Sequence, residues 1–143
     1  MKKFILSIDQ GTSSSRVILY DSKFKKIDSV KKELTQFFPK NGWVEHDAFE
    51  IWHDVRDLLR KLIKKNKLSV SQILSIGITN QRETTVLWNK KTGRPVNKAI
   101  VWQDRRTSSF CKKLKKKGLE KKFKKLLVWS LIPIFQLPKS DGF

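Results

Sequence analysis

The segment that most constrains the fold of this chain is FILSIDQGTSSSRVILY, residues 4–20. Two apolar runs of β-forming residues flank a Gly/Ser/Thr cluster, which predicts strands at residues 4–8 and 17–20 joined by a polar turn at 9–15. The turn holds one glycine and four consecutive hydroxyl residues, so several N–H and O–H groups can point at one anion. The segment predicts a phosphate cradle, with an ordinary polar-tipped hairpin as the alternative.

Two charged residues flank the hydroxyl residues of this turn. Asp9 ends the first predicted strand and would face the same point, where it could hold Mg²⁺ through water, because magnesium keeps most of its water shell. Arg16 adds a fixed positive charge. Neither G-x-x-x-x-G-K-[ST] nor G-x-G-x-x-G is present, so the turn is not one of the common glycine-rich nucleotide loops.

The sequence DQGTSSSR between two strands resembles the first phosphate loop of the FGGY family of sugar and polyol kinases, and of the glycerol kinases in particular. The resemblance implies an α/β fold: a partial actin/hexokinase-like (ribonuclease H-like) ATPase domain, whose mixed sheet contains an antiparallel meander and carries helices. It also implies that Asp9, Thr12, Ser13, Ser14 and Arg16 bind the phosphates of ATP, with Mg²⁺ held by Asp9 through water.

Two later motifs, GITNQRETT and WQDRR, concern the second substrate. An arginine beside a glutamate offers five fixed donors and a two-oxygen acceptor, which can clamp vicinal hydroxyls, although a weak surface ion pair is the simpler alternative. Both motifs resemble glycerol-binding segments of glycerol kinases, and PKNGWVEHD also matches that family. The resemblance implies that Arg82 and Glu83 hydrogen-bond glycerol and that Trp102 packs on its carbon face, whereas a core tryptophan is the alternative for Trp102.

The remaining periodicity predicts further strands and three helices. The predicted strands span residues 26–34, 73–79, 86–88 and 99–102, and the predicted helices span 48–65, 104–117 and 119–125. Asp47 is the expected N-cap of the first helix, Trp52 is expected in the core, and His46 is expected to be a loop-packing residue rather than a catalytic one.

A net charge of +19 raises the alternative of a small basic protein that binds nucleic acid. The excess is mostly lysine, is spread through the chain and lacks interleaved aromatic residues, so a solvated lysine surface is favoured. The 38% hydrophobic content favours one globular domain, and we expect neither nucleic acid nor a membrane among its partners. Cys111 is the single cysteine, and the chain begins without an apolar signal segment, which predicts a cytoplasmic location.

The resemblance stops after about residue 125. Residues 126–143 read LLVWSLIPIFQLPKSDGF, whereas the family pattern there is approximately TTGLVIDPYFSATKIRWL. Codons can be chosen so that one adenine added after Lys125 converts the first sequence into the second. We therefore expect residues 1–125 to be the N-terminal part of the first FGGY kinase domain and residues 126–143 to be an aberrant apolar tail, read out of frame after the loss of one base.

The resemblance implies the conversion of glycerol and ATP into glycerol 3-phosphate and ADP, with another FGGY sugar or polyol kinase as the alternative. It places the general base, the second phosphate loop and the adenine pocket outside this chain, so no catalytic residue is assigned and the chain is expected to be inactive alone. Full-length family members are expected to be homo-oligomers. Loss of the downstream elements should also leave apolar sheet surface exposed.

Overall fold

A computed structural model describes residues 2–127. Its main sheet contains β1 (Phe4–Gln10), β2 (Ser14–Asp21), β3 (Lys26–Glu33) and β5 (Ile73–Thr79), in the spatial order β3-β2-β1-β5. The first three strands form an antiparallel meander, and β5 lies parallel to β1. The mixed sheet confirms the predicted fold class.

A second, two-stranded sheet lies beside the main one. It pairs β4 (Glu45–His46) antiparallel with β6 (Ala99–Ile100). The predicted strand at residues 99–102 is therefore shorter than expected. The strand predicted at 86–88 is wrong, because only isolated bridges join Thr85 to Ile100 and Trp88 to Pro95 in this region.

One long helix, α1 (Ala48–Lys65), covers one face of the main sheet. It begins where predicted because the Asp47 carboxylate accepts hydrogen bonds from the N–H groups of Phe49 and Glu50. The core between helix and sheet consists of six buried side chains: Leu6, Ile8, Val17, Leu19, Leu58 and Leu62. Trp52 does not belong to this core, since 62% of it is exposed on the outer side of the helix.

The C-terminal end of α1 is fastened to β3. Lys65 Nζ donates to Asp28 Oδ1 at 3.0 Å, and Asn66 Nδ2 donates to Asp28 Oδ2 at 3.0 Å. These hydrogen bonds lower the pKa of Asp28 to about 2. The contacts set the position of the helix across the sheet.

Two short helices complete the described chain, α2 (Ser108–Lys116) and α3 (Glu120–Leu127), after a 3-10 turn at Val70–Gln72. Gly118 adopts a φ of +71° between α2 and α3, as expected for a glycine that ends a helix. The predicted helix at 104–117 begins four residues late because residues 104–107 form a turn held by Asp104. The predicted out-of-frame tail, 126–143, begins in the last two residues of α3, and residues 128–143 lie outside the described residues.

The free edge of the main sheet is apolar. Ile76 and Ile78 of β5 lie beside Leu6 and Ile8 of the core, yet they are 51% and 72% exposed because α1 does not reach this strand. Leu74 is also exposed. The expected exposed apolar surface is therefore present at β5. Within residues 2–127, no helix has the length and apolar character needed to cross a membrane.

Candidate active site

The candidate phosphate loop is a tight connection between β1 and β2. The Gly11 N–H donates to the Ser14 carbonyl at 3.0 Å, so the loop outside the strands consists of residues 11–13 only. The turn predicted at 9–15 was too long. Its last hydroxyl residue, Ser15, is fully buried in β2 and donates to Gln10 Oε1 at 2.6 Å, so Ser15 is structural rather than available to a ligand.

The remaining hydroxyl residues of the loop differ in exposure. Thr12 and Ser14 are half-buried, whereas Ser13 is exposed and its carbonyl accepts a hydrogen bond from the Leu34 N–H at 2.9 Å. That bond ties the loop to the chain that follows β3. The backbone of the loop is therefore fixed by this hydrogen bond, and its hydroxyl groups lie near the end of the sheet.

Asp9 and Arg16 lie side by side at this end of the sheet. They are register partners across β1 and β2, and Thr79 is the partner of Asp9 on the other side. Side chains alternate along a strand, so Asp9 lies on the face opposite Ile8 and the α1 core. Within the described residues, neither side chain forms an ion pair.

The metal-binding capacity of this end of the sheet is small. Within residues 2–127, no group of three or more His, Cys, Asp or Glu side chains is arranged so that it could hold a metal ion. A lone carboxylate such as Asp9 suits a Mg²⁺ ion that keeps its waters and is bound largely by phosphate oxygens. The residues present therefore fit a Mg²⁺ ion that is bound through water molecules. They do not fit a metal site in which protein side chains supply all the ligands.

The second motif forms a turn directly after β5. Arg82 is exposed and Glu83 is half-buried, and neither forms an ion pair with a described residue, so the simpler alternative of a mutual ion pair is not observed. Glu83 has a φ of +57°, a conformation that costs a residue with a Cβ about 1–2 kcal/mol. Backbone strain of this kind is concentrated at functional sites, where surrounding contacts hold it.

Three separate segments meet at this position. The Trp102 indole Nε1 donates to Thr12 Oγ1 at 2.8 Å, and the Gln81 amide Nε2 donates to the Gly11 carbonyl at 3.0 Å. Thr85 also forms an isolated bridge with Ile100, which brings the residues after β5 next to β6. Trp102 is half-buried and bonded to the loop, so it is not an ordinary core tryptophan. Hydrogen bonds therefore bring the loop, the segment after β5 and Trp102 together.

A charged cluster behind Trp102 fixes the WQDRR segment. Arg106 contacts Asp104 at 2.9 Å and Glu45 at 2.7 Å, and its guanidinium lies 3.7 Å from the Trp43 ring centroid. Asp104 also accepts from the Val44 N–H at 2.7 Å. Burial works against the charge of Arg106, but its hydrogen bonds to both carboxylates outweigh that effect and raise its pKa. This cluster was not predicted, although both motifs that supply it were recognised.

Gln81 is a buried, highly connected residue that we did not predict. It is 91% buried and its amide donates to Gly11 O and His46 Nδ1, while its Oε1 accepts from Thr84 Oγ1 at 3.2 Å. His46 is buried as predicted for a packing residue, and its Nε2 has no hydrogen-bond partner among the described residues. The only signal in the sequence was the position of Gln81 immediately before Arg82.

Burial lowers the pKa of His46 below its ordinary value of 6.5, although Glu50 and the hydrogen bond with Gln81 act in the opposite direction. A histidine whose pKa is lowered by folding binds a proton more readily in the unfolded chain. We therefore expect the free energy of unfolding to be highest above the unfolded pKa and to fall as the pH drops below about 6.5. Urea unfolding at pH values on either side of that point measures this decrease.

Matched histidine variants isolate the contribution of His46 from the carboxylates that titrate at lower pH. The chain has two histidines, so His46→Gln should flatten the pH dependence in this range whereas His53→Gln, an exposed site on α1, should retain it. Equal slopes for the two variants would contradict the assignment.

Residues 4–140 match the model of the N-terminal domain of the FGGY family of carbohydrate kinases. The chain belongs to this family. This membership agrees with the resemblance of its sequence motifs to the FGGY family. The matched range also includes most of residues 126–143, for which we predicted a shifted reading frame, so the boundary at 125 stays a prediction.

Curated FGGY relatives of high identity are named glycerol kinase. The glycerol kinase of Treponema denticola is 54% identical over 125 residues, which are 87% of this chain and 25% of that protein. The glycerol kinase of Oceanobacillus iheyensis is 58% identical over 119 residues, 83% of this chain and 24% of that protein. The chain therefore spans about a quarter of the length of the curated relatives it matches.

Solved structures of FGGY kinases share the fold. The Plasmodium falciparum glycerol kinase with ADP aligns with a TM-score of 0.84 and 34% identity over 94% of this chain and 27% of that one. A gluconate kinase from Lactobacillus acidophilus also aligns with a TM-score of 0.84, at 22% identity over 94% of this chain and 26% of that one, which supports the fold alone.

Proposed function

We propose that this chain is the N-terminal part of an ATP-dependent glycerol kinase, which converts glycerol and ATP into glycerol 3-phosphate and ADP. The observation that carries the proposal is that hydrogen bonds join the Thr12 loop to Gln81, which directly precedes Arg82, and to Trp102. The identity to proteins named glycerol kinase supports glycerol as the substrate. The proposed location is the cytoplasm, where ATP is available.

In this proposal the loop binds the phosphates of ATP. Thr12, Ser13 and Ser14 offer N–H and O–H donors, and Arg16 supplies a positive charge at the same end of the sheet. Asp9 would hold Mg²⁺ through water. When bound, the ion would neutralise charge on the phosphate oxygens.

The polyol lies on the other side of the cleft in this proposal. The Arg82 guanidinium donates to hydroxyl oxygens and the Glu83 carboxylate accepts from hydroxyl hydrogens, so the two side chains select neighbouring hydroxyl groups. Neither has an ion-pair partner among the described residues, which leaves both available to a ligand. Trp102 supplies an apolar face for the carbon chain of the polyol.

We expect Arg82→Ala and Glu83→Gln each to weaken glycerol binding by about tenfold or more, because each removes a hydrogen bond to a charged group. The measurement is an NMR titration of the 143-residue chain with glycerol, followed at the Trp102 indole N–H. Arg60→Ala on α1, whose side chain is 72% exposed, is the matched control and should leave affinity unchanged.

A panel of other substrates distinguishes glycerol from the alternatives within the family. Gluconate and xylulose serve as competitors because kinases named for both share this fold. Tighter binding of either competitor than of glycerol would assign the chain to another FGGY kinase. If the Arg82→Ala variant binds each of the three ligands as tightly as the unmodified chain does, the proposed site is contradicted.

We infer that residues 126–143 are encoded out of frame. The inference is supported by the change in sequence character after Lys125 and by codons that restore the family pattern when one adenine is added. The general base and the remaining nucleotide contacts would then be encoded downstream, and the chain alone would be inactive.

A further inference from the structure

The Gly11 carbonyl is held by two side-chain amides from different parts of the chain. Gln10 Nε2 and Gln81 Nε2 both donate to it at 3.0 Å. A trans peptide is planar, so its C=O and N–H point in opposite directions. The two amides therefore fix the direction of the Thr12 N–H, which points away from Gln81.

The Gly11–Thr12 peptide has little else to determine its orientation. Glycine permits backbone conformations closed to other residues, so rotation of the adjoining peptide is easy without such bonds. A Cβ at Gly11 would lie 3.3 Å from the Ser14 carbonyl oxygen, closer than usual, which explains why a glycine is present. The side-chain amides of Gln10 and Gln81 therefore favour the observed orientation over others that a glycine permits.

Gln81 links this peptide to the polyol-binding turn. It directly precedes Arg82 and Glu83, and it is held from its other sides by His46 and Thr84. Ordering of the turn by a bound polyol would therefore also order the amide that holds the Gly11 carbonyl. Gln10 makes the same contact with the carbonyl but belongs to β1, so it lacks this link.

Trp102 provides a second connection to the same loop. Its indole N–H occupies an acceptor position on Thr12 Oγ1, which leaves the Thr12 hydroxyl hydrogen free to donate to a phosphate oxygen. A polyol packed on the indole ring would restrict this contact as well.

We propose that Gln81 is a positioning residue that couples polyol binding to phosphate binding, by locking the Gly11–Thr12 peptide with the Thr12 N–H directed at the anion. This inference rests on the proposed function, because it takes Arg82 and Glu83 as polyol ligands. It goes further, because the affinity of this chain for phosphate would then depend on whether a polyol is bound, and the affinity for polyol on whether phosphate is bound.

The test measures the affinity of inorganic phosphate for the 143-residue chain, with and without saturating glycerol, from the chemical shift of the Thr12 amide. Coupling free energies between sites commonly correspond to at least a fivefold change in affinity. We expect glycerol to strengthen phosphate binding by about fivefold. The near-isosteric Gln81→Met variant should reduce that factor to below about twofold while glycerol still binds.

The control variant is Gln10→Met, which removes a donor from the same carbonyl but leaves the link to Arg82 intact and should retain the coupling. If Gln81→Met unfolds, Trp102→Phe removes the second connection while keeping an aromatic ring, and should reduce the coupling. Independent binding of both ligands to the unmodified chain would overturn the inference and leave the proposed function standing. Failure of glycerol to bind at all would overturn both.

Discussion

On the proposed function, we expect restoration of one adenine after codon 125 to turn an inactive chain into the start of an active glycerol kinase. The 143-residue chain should give no measurable turnover of ATP with glycerol, because phosphoryl transfer needs groups on both sides of the transferred phosphate. We assign no general base among the described residues. Asp9 and Glu83 have proposed ligand roles, and Asp104 is paired with Arg106. A coupled ADP-release assay on both purified proteins measures the difference.

The control for the restored protein is its Arg82→Ala variant, which should lose most of the gained activity through weaker glycerol binding. Two results would contradict the account. One is turnover by the 143-residue chain itself. The other is a nucleotide sequence in which no single-base change near codons 124–126 opens a long downstream kinase frame.

Leu62→Ala should strongly destabilise the described core. Leu62 is completely buried between α1 and the sheet, where removal of a leucine side chain costs about 2–5 kcal/mol. Typical domains have only about 5–15 kcal/mol of stability, and this sheet also has an uncovered β5 edge. We therefore expect the variant to be largely unfolded near room temperature, as measured by circular dichroism and urea titration.

The matched control on the same helix is Trp52→Ala. Although tryptophan is larger than leucine, the outward side chain of Trp52 is 62% exposed, so its removal should change the free energy of unfolding by less than about 1 kcal/mol. A loss equal to that of Leu62→Ala would show that the exposed face of α1 carries stability that this structure does not explain.

The central elements could be predicted because local pattern and tertiary packing agree. The meander follows from alternating apolar residues around polar turns, and α1 follows from helical periodicity and the Asp47 cap. The strand Ile73–Thr79 was also predicted at its observed bounds, because a continuous run of β-forming residues is bordered by polar segments. The family resemblance then predicted the mixed sheet.

The errors arise where long-range contacts override local pattern. Residues 14 and 15 read as turn because they are serines, but pairing with β3 and the Ser15–Gln10 hydrogen bond place them in β2. Residues 104–107 read as helix, but Asp104 holds Val44 and Arg106 in a turn. Trp52 has helical spacing with the core residues, yet it falls beyond the edge of the buried face.

The site was predicted only in part for the same reason. The charged and hydroxyl residues proposed to face a ligand belong to recognisable motifs, so Thr12, Arg82 and Trp102 could be selected from the sequence. Gln81 and His46 act through each other and through Gly11, and those residues are 35 or more positions apart in the chain. No local pattern reports a hydrogen bond of that kind.

The central claim is that one cleft of this chain binds phosphate and polyol together. The most direct test adds glycerol and ADP with Mn²⁺ in place of Mg²⁺, and observes paramagnetic broadening and ligand contacts by NMR. The account predicts that amides of residues 9–16 and 82–83 broaden first, and that bound glycerol shows contacts to the Trp102 ring. Broadening centred on the lysines of α2 and α3, with glycerol remote from Trp102, would contradict it.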